Sequence, residues 1–178
     1  MKRLFLAFPL PRTHEAWLSA WMEALKKELS FARWVKPERL HLTVFFIGAW
    51  QEEELPRLYA SLEEVWSRIR HPITLKIWPD LGTFGPPRAP RILWAKTTLL
   101  QGDPSPWPLE VARALRLPRP QPFTPHITLA REGRGPLPPT LPPPPEPLPQ
   151  PFSPSHLILY ESFLGPSPRY EALRGFPL

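Results

Sequence analysis

The chain of 178 residues has no cysteine and no asparagine, and methionine occurs twice. Without cysteine there can be no disulfide, thiol nucleophile or thiolate metal site. Aspartate stands only at positions 80 and 103. Glycine numbers eight and shows no period of three, so a collagen-like chain is excluded. No apolar run approaches the roughly 20 residues of a membrane-spanning helix. The start, Met1 to Phe8, is basic then apolar, but Pro9 and Pro11 cut the run short. No signal peptide is expected from it.

What is abundant is proline, at 30 of 178 residues. Together with the scarcity of thermolabile residues, this reads as adaptation to heat. Hydrophobic residues make up 42% and charged residues 21%, a globular composition. The formal net charge is +6, mostly from arginine. A basic globular chain suits an anionic partner, nucleic acid first among them.

The periodicities describe one domain over 1–178. Lys2 to Phe8 reads as a strand. A helix follows from Thr13, its N-cap, to about Leu29, with Trp17, Leu18, Trp21, Leu25 and Leu29 on one stripe. Leu40 to Ile47 reads as a strand and Gln51 to Ile69 as a second helix. Strands are predicted at Ile73–Trp78 and Arg91–Thr98, with a Gly/Pro loop over Leu81–Pro90 between them. Ser105-Pro106 opens a short helix to about Leu117. Further strands are predicted at His126–Arg131, His156–Phe163 and Arg169–Leu173. The proline-rich stretch from Pro136 to Pro151 is expected as an extended, solvated loop insertion without packed structure. Mixed helices and closely spaced strands argue an α+β fold with antiparallel sheet.

Two segments of the chain match each other. Leu40-His41-Leu42-Thr43-Val44 and Pro125-His126-Ile127-Thr128-Leu129 both contain His-apolar-Thr-apolar. On a strand, residues i and i+2 share a face. His41 and Thr43 therefore point one way while Leu42 and Val44 point into a core, and the second copy repeats the arrangement. One His-X-Thr in a strand is ordinarily a half-buried pair without chemistry. Two copies in matched contexts can bring two imidazoles to one cleft. Histidine titrates near neutrality, so one ring can take a proton from water while the other gives one to a leaving oxygen. The threonine hydroxyls can donate to a phosphate oxygen or hold an imidazole tautomer.

These motifs carry a resemblance. The sequence resembles the 2H phosphoesterase superfamily, and within it the RNA 2′,3′-cyclic phosphodiesterases, also called 2′-5′ RNA ligases. His41 to Val44 with Phe45-Phe46-Ile47-Gly48 is similar to the first family motif. Phe123 to Arg131 is similar to the second. The strand Arg3 to Phe8, Trp34-Val35 with Pro37, and Pro90 to Trp94 also fit. The departures are the proline insertion and the region from Gly102 to Leu117.

The resemblance implies two pseudo-symmetric lobes of mainly antiparallel sheet around a shared central cleft, with helices on the outer faces. It implies a cytoplasmic enzyme acting on RNA ends that bear a 2′,3′-cyclic phosphate, tRNA halves being one source, and yielding 2′-phosphate. His126 would be the proton acceptor and His41 the proton donor. Thr43, Thr128, Arg131 and Phe46 would bind substrate. No metal and no cofactor are expected, and no obligate partner or oligomer beyond a monomer. Ligation would be the reverse of cleavage. The alternatives are a relative acting on another cyclic phosphate or a 2′-5′ oligonucleotide, and an RNA-binding module without turnover.

Phe46 and Arg131 each lie five residues after their histidine. In a regular strand an odd offset puts them on the opposite face, so they reach the cleft only if each strand ends or bulges first. If both do, a ring and a guanidinium flank the site and suit stacking on an unpaired base. Arg88 and Arg91 are candidates for a basic rim. His14 is expected to be solvated, and His71 and His156 to be structural.

Overall fold

A computed structural model describes residues 1–178. Eight strands and three helices follow one another as β1 (Lys2–Pro9), α1 (Arg12–Glu28), β2 (Phe31–Trp34), β3 (His41–Trp50), α2 (Leu55–Ile69), β4 (Thr74–Phe84), β5 (Ile92–Gln101), α3 (Trp107–Ala114), β6 (His126–Gly133), β7 (His156–Phe163) and β8 (Arg169–Pro177). The fold is α+β, and the strand order is β4-β5-β6-β3-β1-β7-β8, with β2 on β6. Every pairing is antiparallel.

The two halves of the sheet, β4-β5-β6 and β3-β1-β7-β8, meet through a single residue pair, Leu42 opposite Ile127. Both residues are fully buried. Beyond that pair β6 takes a different neighbour, β2, through Ala130, Arg131 and Gly133. β3 and β6 therefore part immediately after their histidines, and the sheet opens there. The two halves expected from sequence are thus hydrogen-bonded into one sheet at a narrow seam.

Alternation along the strands sorts the sheet's two faces. Leu4, Leu6, Phe8, Leu42, Val44, Leu75, Ile77, Leu93, Ile127, Leu129, Leu157 and Leu159 form one core with the apolar stripes of the helices. From α1 it takes Trp17, Leu18 and Trp21, from α2 Leu58, Leu62 and Val65, and from α3 Trp107 and Val111. The helices therefore cover one face, and His41, Thr43, His126 and Thr128 stand on the other.

Some elements differ from the sequence expectation. β2 falls where no strand was predicted; four residues are too few to show a period. β4 continues through Leu81 to Phe84, where a loop was predicted, because its register slips between Ile77 and Leu81 around Pro79 and pairing then resumes with β5. α1 starts at Arg12 with Pro11 at the cap position, so Thr13 is not the N-cap; its hydroxyl bonds His14 Nδ1 instead, at 3.1 Å.

The proline segment is not a solvated loop. Leu137, Leu141 and Leu148 pack on the core. Trp21 Nε1–H donates to the Pro142 carbonyl at 2.9 Å and Trp17 Nε1–H to that of Pro145 at 2.8 Å. Proline has no N–H, so its carbonyl is its one backbone bonding group, and the indoles of α1 supply the donors. His14, expected in solvent, is 6% exposed: its Nε2–H donates to the Gln150 carbonyl at 2.7 Å, and its ring lies 4.7 Å from that of Phe152. The segment is a strap across α1, and low-complexity sequence does not disclose a tertiary partner of this kind.

Candidate active site

Both motif histidines begin their strands, and both are held in the same way. His41 Nδ1 lies 2.7 Å from the carbonyl of Arg39, and His126 Nδ1 lies 2.7 Å from the carbonyl of Thr124. Each partner is two residues upstream. A carbonyl can only accept, so each Nδ1 carries the proton. In the neutral ring Nε2 is then a lone pair, free to take a proton, or to give one once charged. At His41 the Thr43 hydroxyl meets Nε2 at 3.0 Å and donates to it. No such bond joins Thr128 to His126, although Thr128 stands at the matching place in β6.

The aromatic walls repeat as well. The Tyr170 ring meets His41 edge-on at 5.2 Å and 90°, and the Phe84 ring meets His126 edge-on at 5.0 Å and 90°. From the neighbouring strands Phe5 lies 5.1 Å from His41, and Trp94 lies 6.1 Å from His126. These four residues were not among the sequence candidates. Trp94 could have been found, because it alternates with core residues Leu93 and Ala95. Phe84 and Tyr170 come from distant segments and leave no local signal.

Phe46 and Arg131 do reach the cleft, and each strand bulges to allow it. Opposite β3, Ala7 pairs with Thr43 and Leu6 with Phe45, so Val44 is the extra residue. Opposite β6, Trp94 pairs with Thr128 and Leu93 with Ala130, so Leu129 is the extra residue. Both bulges fall three positions after the histidine. They bury two residues in succession, Val44-Phe45 and Leu129-Ala130, and return the next side chain to the histidine face. Phe46 is 66% exposed, an unusual state for a large apolar ring.

The cleft consists of connected cavities. One of about 680 Å³ is bordered by Thr43, Phe46, Phe84, Phe123 and His126. A second of about 220 Å³ is bordered by Arg3, Phe5, His41, Phe46, Arg131 and Tyr170. Phe46 borders both, so its ring stands between the histidines' sides of the cleft. Arg88 and Arg91 are exposed at the turn joining β4 to β5, where the Arg91 backbone N–H donates to the Phe84 carbonyl at 2.8 Å.

Burial and positive neighbours act in the same direction on both rings. Desolvation is the main cause that lowers the His41 pKa to about 4; the Arg39 carbonyl, next in size, pulls it upward, and nearby Arg131, His126 and Arg39 add smaller downward pushes. Desolvation and Arg131 also lower that of His126. Both rings are therefore neutral at pH 7 in the free protein, and the site lacks an anion to balance its cations.

The other histidines lie elsewhere. His71 donates from Nδ1 to the Ile69 carbonyl and accepts the Asp103 backbone N–H at Nε2, a structural clasp. His156 is exposed beside Ser155. No group of three or more His, Asp or Glu side chains is arranged to hold a metal ion.

Comparison with known proteins places these features in a family. Residues 8–94 match the description LigT like phosphoesterase. A protein of Thermus thermophilus named RNA 2′,3′-cyclic phosphodiesterase is 37% identical, over 72% of this chain and 68% of its own. One of the same name from Bacillus subtilis is 32% identical, over 74% and 72%. That from Geobacillus stearothermophilus is 31% identical over the whole of this chain, which spans 58% of that relative's length. Among solved structures, the Thermus thermophilus protein TT0787 superposes with a TM-score of 0.76 at 31% identity, covering 99% of this chain and 97% of its own. Escherichia coli LigT complexed with 3′-AMP gives 0.74 at 26%, covering 99% and 98%.

Proposed function

The chain belongs to the LigT-like phosphoesterases, and from that premise we propose that it opens 2′,3′-cyclic phosphate ends of RNA to 2′-phosphates by paired histidine acid–base catalysis. His126 Nε2 takes a proton from water, the water oxygen bonds to phosphorus, and the bond from phosphorus to the 3′ oxygen breaks. His41 Nε2–H gives its proton to that oxygen. His126 thus ends protonated and His41 neutral, and each returns to its starting state by proton exchange with solvent between turnovers. The observation that carries this reading is the duplicated anchoring of the two rings, each with Nδ1–H on the carbonyl two residues upstream, so that the lone pair of each neutral ring lies on Nε2.

The electrostatics support the same reading. A cleft that holds cations without a balancing anion gains most from binding a phosphodiester. The bound negative charge opposes the positive neighbours that depress His41, so substrate itself helps to load the acid with its proton. Arg131 faces the charge that builds up on phosphorus-bound oxygens in the transition state. The Thr128 hydroxyl, and that of Thr43 once it gives up its bond to His41 Nε2, can donate to the same oxygens, and Phe46 can stack on the terminal base. None of these roles calls for a metal ion, and ligation to a 2′-5′ bond is the same sequence of steps run backwards.

The test is incubation of a short RNA ending in 2′,3′-cyclic phosphate, in excess chelator, with the product resolved as 2′- or 3′-phosphate. The expected result is 2′-phosphate from the wild type. His41→Ala and His126→Ala should each lower turnover by about 10²–10⁴-fold, as for loss of one general acid or base. Near-normal rates in either variant would sink the paired mechanism. A 3′-phosphate product would reverse the substrate's orientation between the rings.

A further inference from the structure

A third cavity, of about 310 Å³, is bordered by His41 but not by His126. It shares His41 and Tyr170 with the cleft, and Lys36, Arg39 and Arg169 border it. Arg169 is held by Glu171 at 3.1 Å, but neither Lys36 nor Arg39 has a carboxylate partner, although Glu38 borders the same cavity. Arg39 Nε is buried with no hydrogen-bond partner, and its guanidinium lies 5.9 Å from the Tyr170 ring centre. A buried, unpaired donor on a cation is costly unless an anion or water completes it. By contrast, the cavity on the His126 side is bordered by aromatics, prolines, threonines and one glutamine, with no lysine, arginine or carboxylate.

This asymmetry bears on how an RNA chain lies across the site. Displacement at phosphorus is in line, so the attacking water and the departing 3′ oxygen stand on opposite sides of the phosphorus. If His41 serves the departing oxygen, the terminal ribose lies on the His41 side. Its 5′ oxygen, and the phosphate joining it to the preceding nucleotide, then point toward the cavity that holds the free cations. With the reverse assignment, the polyanion would run into the uncharged cavity.

We infer that Lys36 and Arg39, backed by Tyr170, form a subsite for the internucleotide phosphate on the 5′ side of the terminal ribose, which makes the end of an RNA chain a better substrate than a cyclic mononucleotide. The inference rests on the function proposed above. It adds the direction in which the RNA runs and the residues that select a chain over a single nucleotide.

The test compares kcat/KM on a short RNA ending in 2′,3′-cyclic phosphate with that on adenosine 2′,3′-cyclic phosphate. The wild type should favour the RNA by about tenfold or more, the effect of one charge-assisted hydrogen bond to phosphate. In Lys36→Met/Arg39→Met the ratio should fall toward one, with Lys36→Met alone showing part of the fall should the double variant fold poorly. Lys27→Met, an exposed cation on α1, should leave the ratio as it is. Equal wild-type rates on the two substrates would overturn the inference. So would a double variant that slows both alike, or a Lys27→Met effect of the same size.

Binding separates this inference from the function on which it rests. RNA ending in 2′-phosphate should bind more tightly than adenosine 2′-phosphate. The advantage should shrink in the double variant. The salt dependence of RNA binding should also flatten, by about 0.7 in logarithmic slope for each phosphate the variant no longer neutralises. A wild type with no turnover but with this binding pattern would refute the reaction and retain the subsite. Turnover with no binding advantage for RNA would do the opposite.

Discussion

His41 and His126 share one anchoring scheme but differ in surroundings. His41 is enclosed by Phe5, Tyr170 and Thr43, and this burial, with the guanidiniums of Arg131 and Arg39 nearby, means its proton is lost at about pH 4 in the free protein. The consequence for stability follows from linkage. Between the ordinary histidine value of about 6.5 and the folded value of about 4, the unfolded chain binds a proton at this residue and the folded chain does not. Stability is therefore intact above pH 6.5 and falls as pH drops toward 4. His41→Gln, which cannot titrate, should lose less stability than the wild type across that window. Denaturant midpoints at pH 7 and pH 4.5 for the two proteins check this. Equal losses would mean that His41 is not desolvated as its surroundings indicate.

At the scale of elements, the paired bulges and the proline strap do different work. The bulges at Val44 and Leu129 turn Phe46 and Arg131 to the histidine face without disturbing the alternation that seats Leu42 and Ile127 in the core. The strap ties α1 down through two indole hydrogen bonds. Trp21→Phe keeps an aromatic ring in place but removes the donor to the Pro142 carbonyl. It should cost more than the about 0.5–1.5 kcal/mol of one such bond, because it also removes part of a buried core side chain. Turnover on cyclic-phosphate RNA should be unchanged, because the strap lies on the helix side of the sheet. Thermal unfolding and a rate measurement on the same preparation test both statements.

At the scale of the whole molecule, the geometry of the cleft depends on the seam. The two halves of the sheet are paired strand to strand through Leu42 and Ile127 alone, and the shared core beneath holds them at their angle. Leu42→Ala should destabilise the protein by about 2–5 kcal/mol, the range for truncating a fully buried leucine. It should also lower kcat on the RNA more than it raises KM, because the distance between the two rings is set across that pair. A variant that loses stability but keeps the wild-type kcat would show that the helices, not the seam, set the histidines' separation.

The sequence by itself determined whatever depends on near neighbours in the chain. His41 with Thr43, and His126 with Thr128, share a face because strand side chains alternate, and their duplication already marked the two segments as a matched pair. The α1 and α2 stripes were legible for the same reason, since helical spacing over 15 or more residues is a strong signal. The need for a bulge before Phe46 and Arg131 also followed from counting, although not its place at Val44 and Leu129. Tertiary structure decided the rest. Tyr170 and Phe84 reach their histidines from strands distant in sequence, the prolines find Trp17 and Trp21 across more than a hundred residues, and Lys36 and Arg39 border a cavity closed by β8. Such contacts arise from the cooperative burial of one core, and short-range patterns of polarity say which residues are buried but not which distant segments meet.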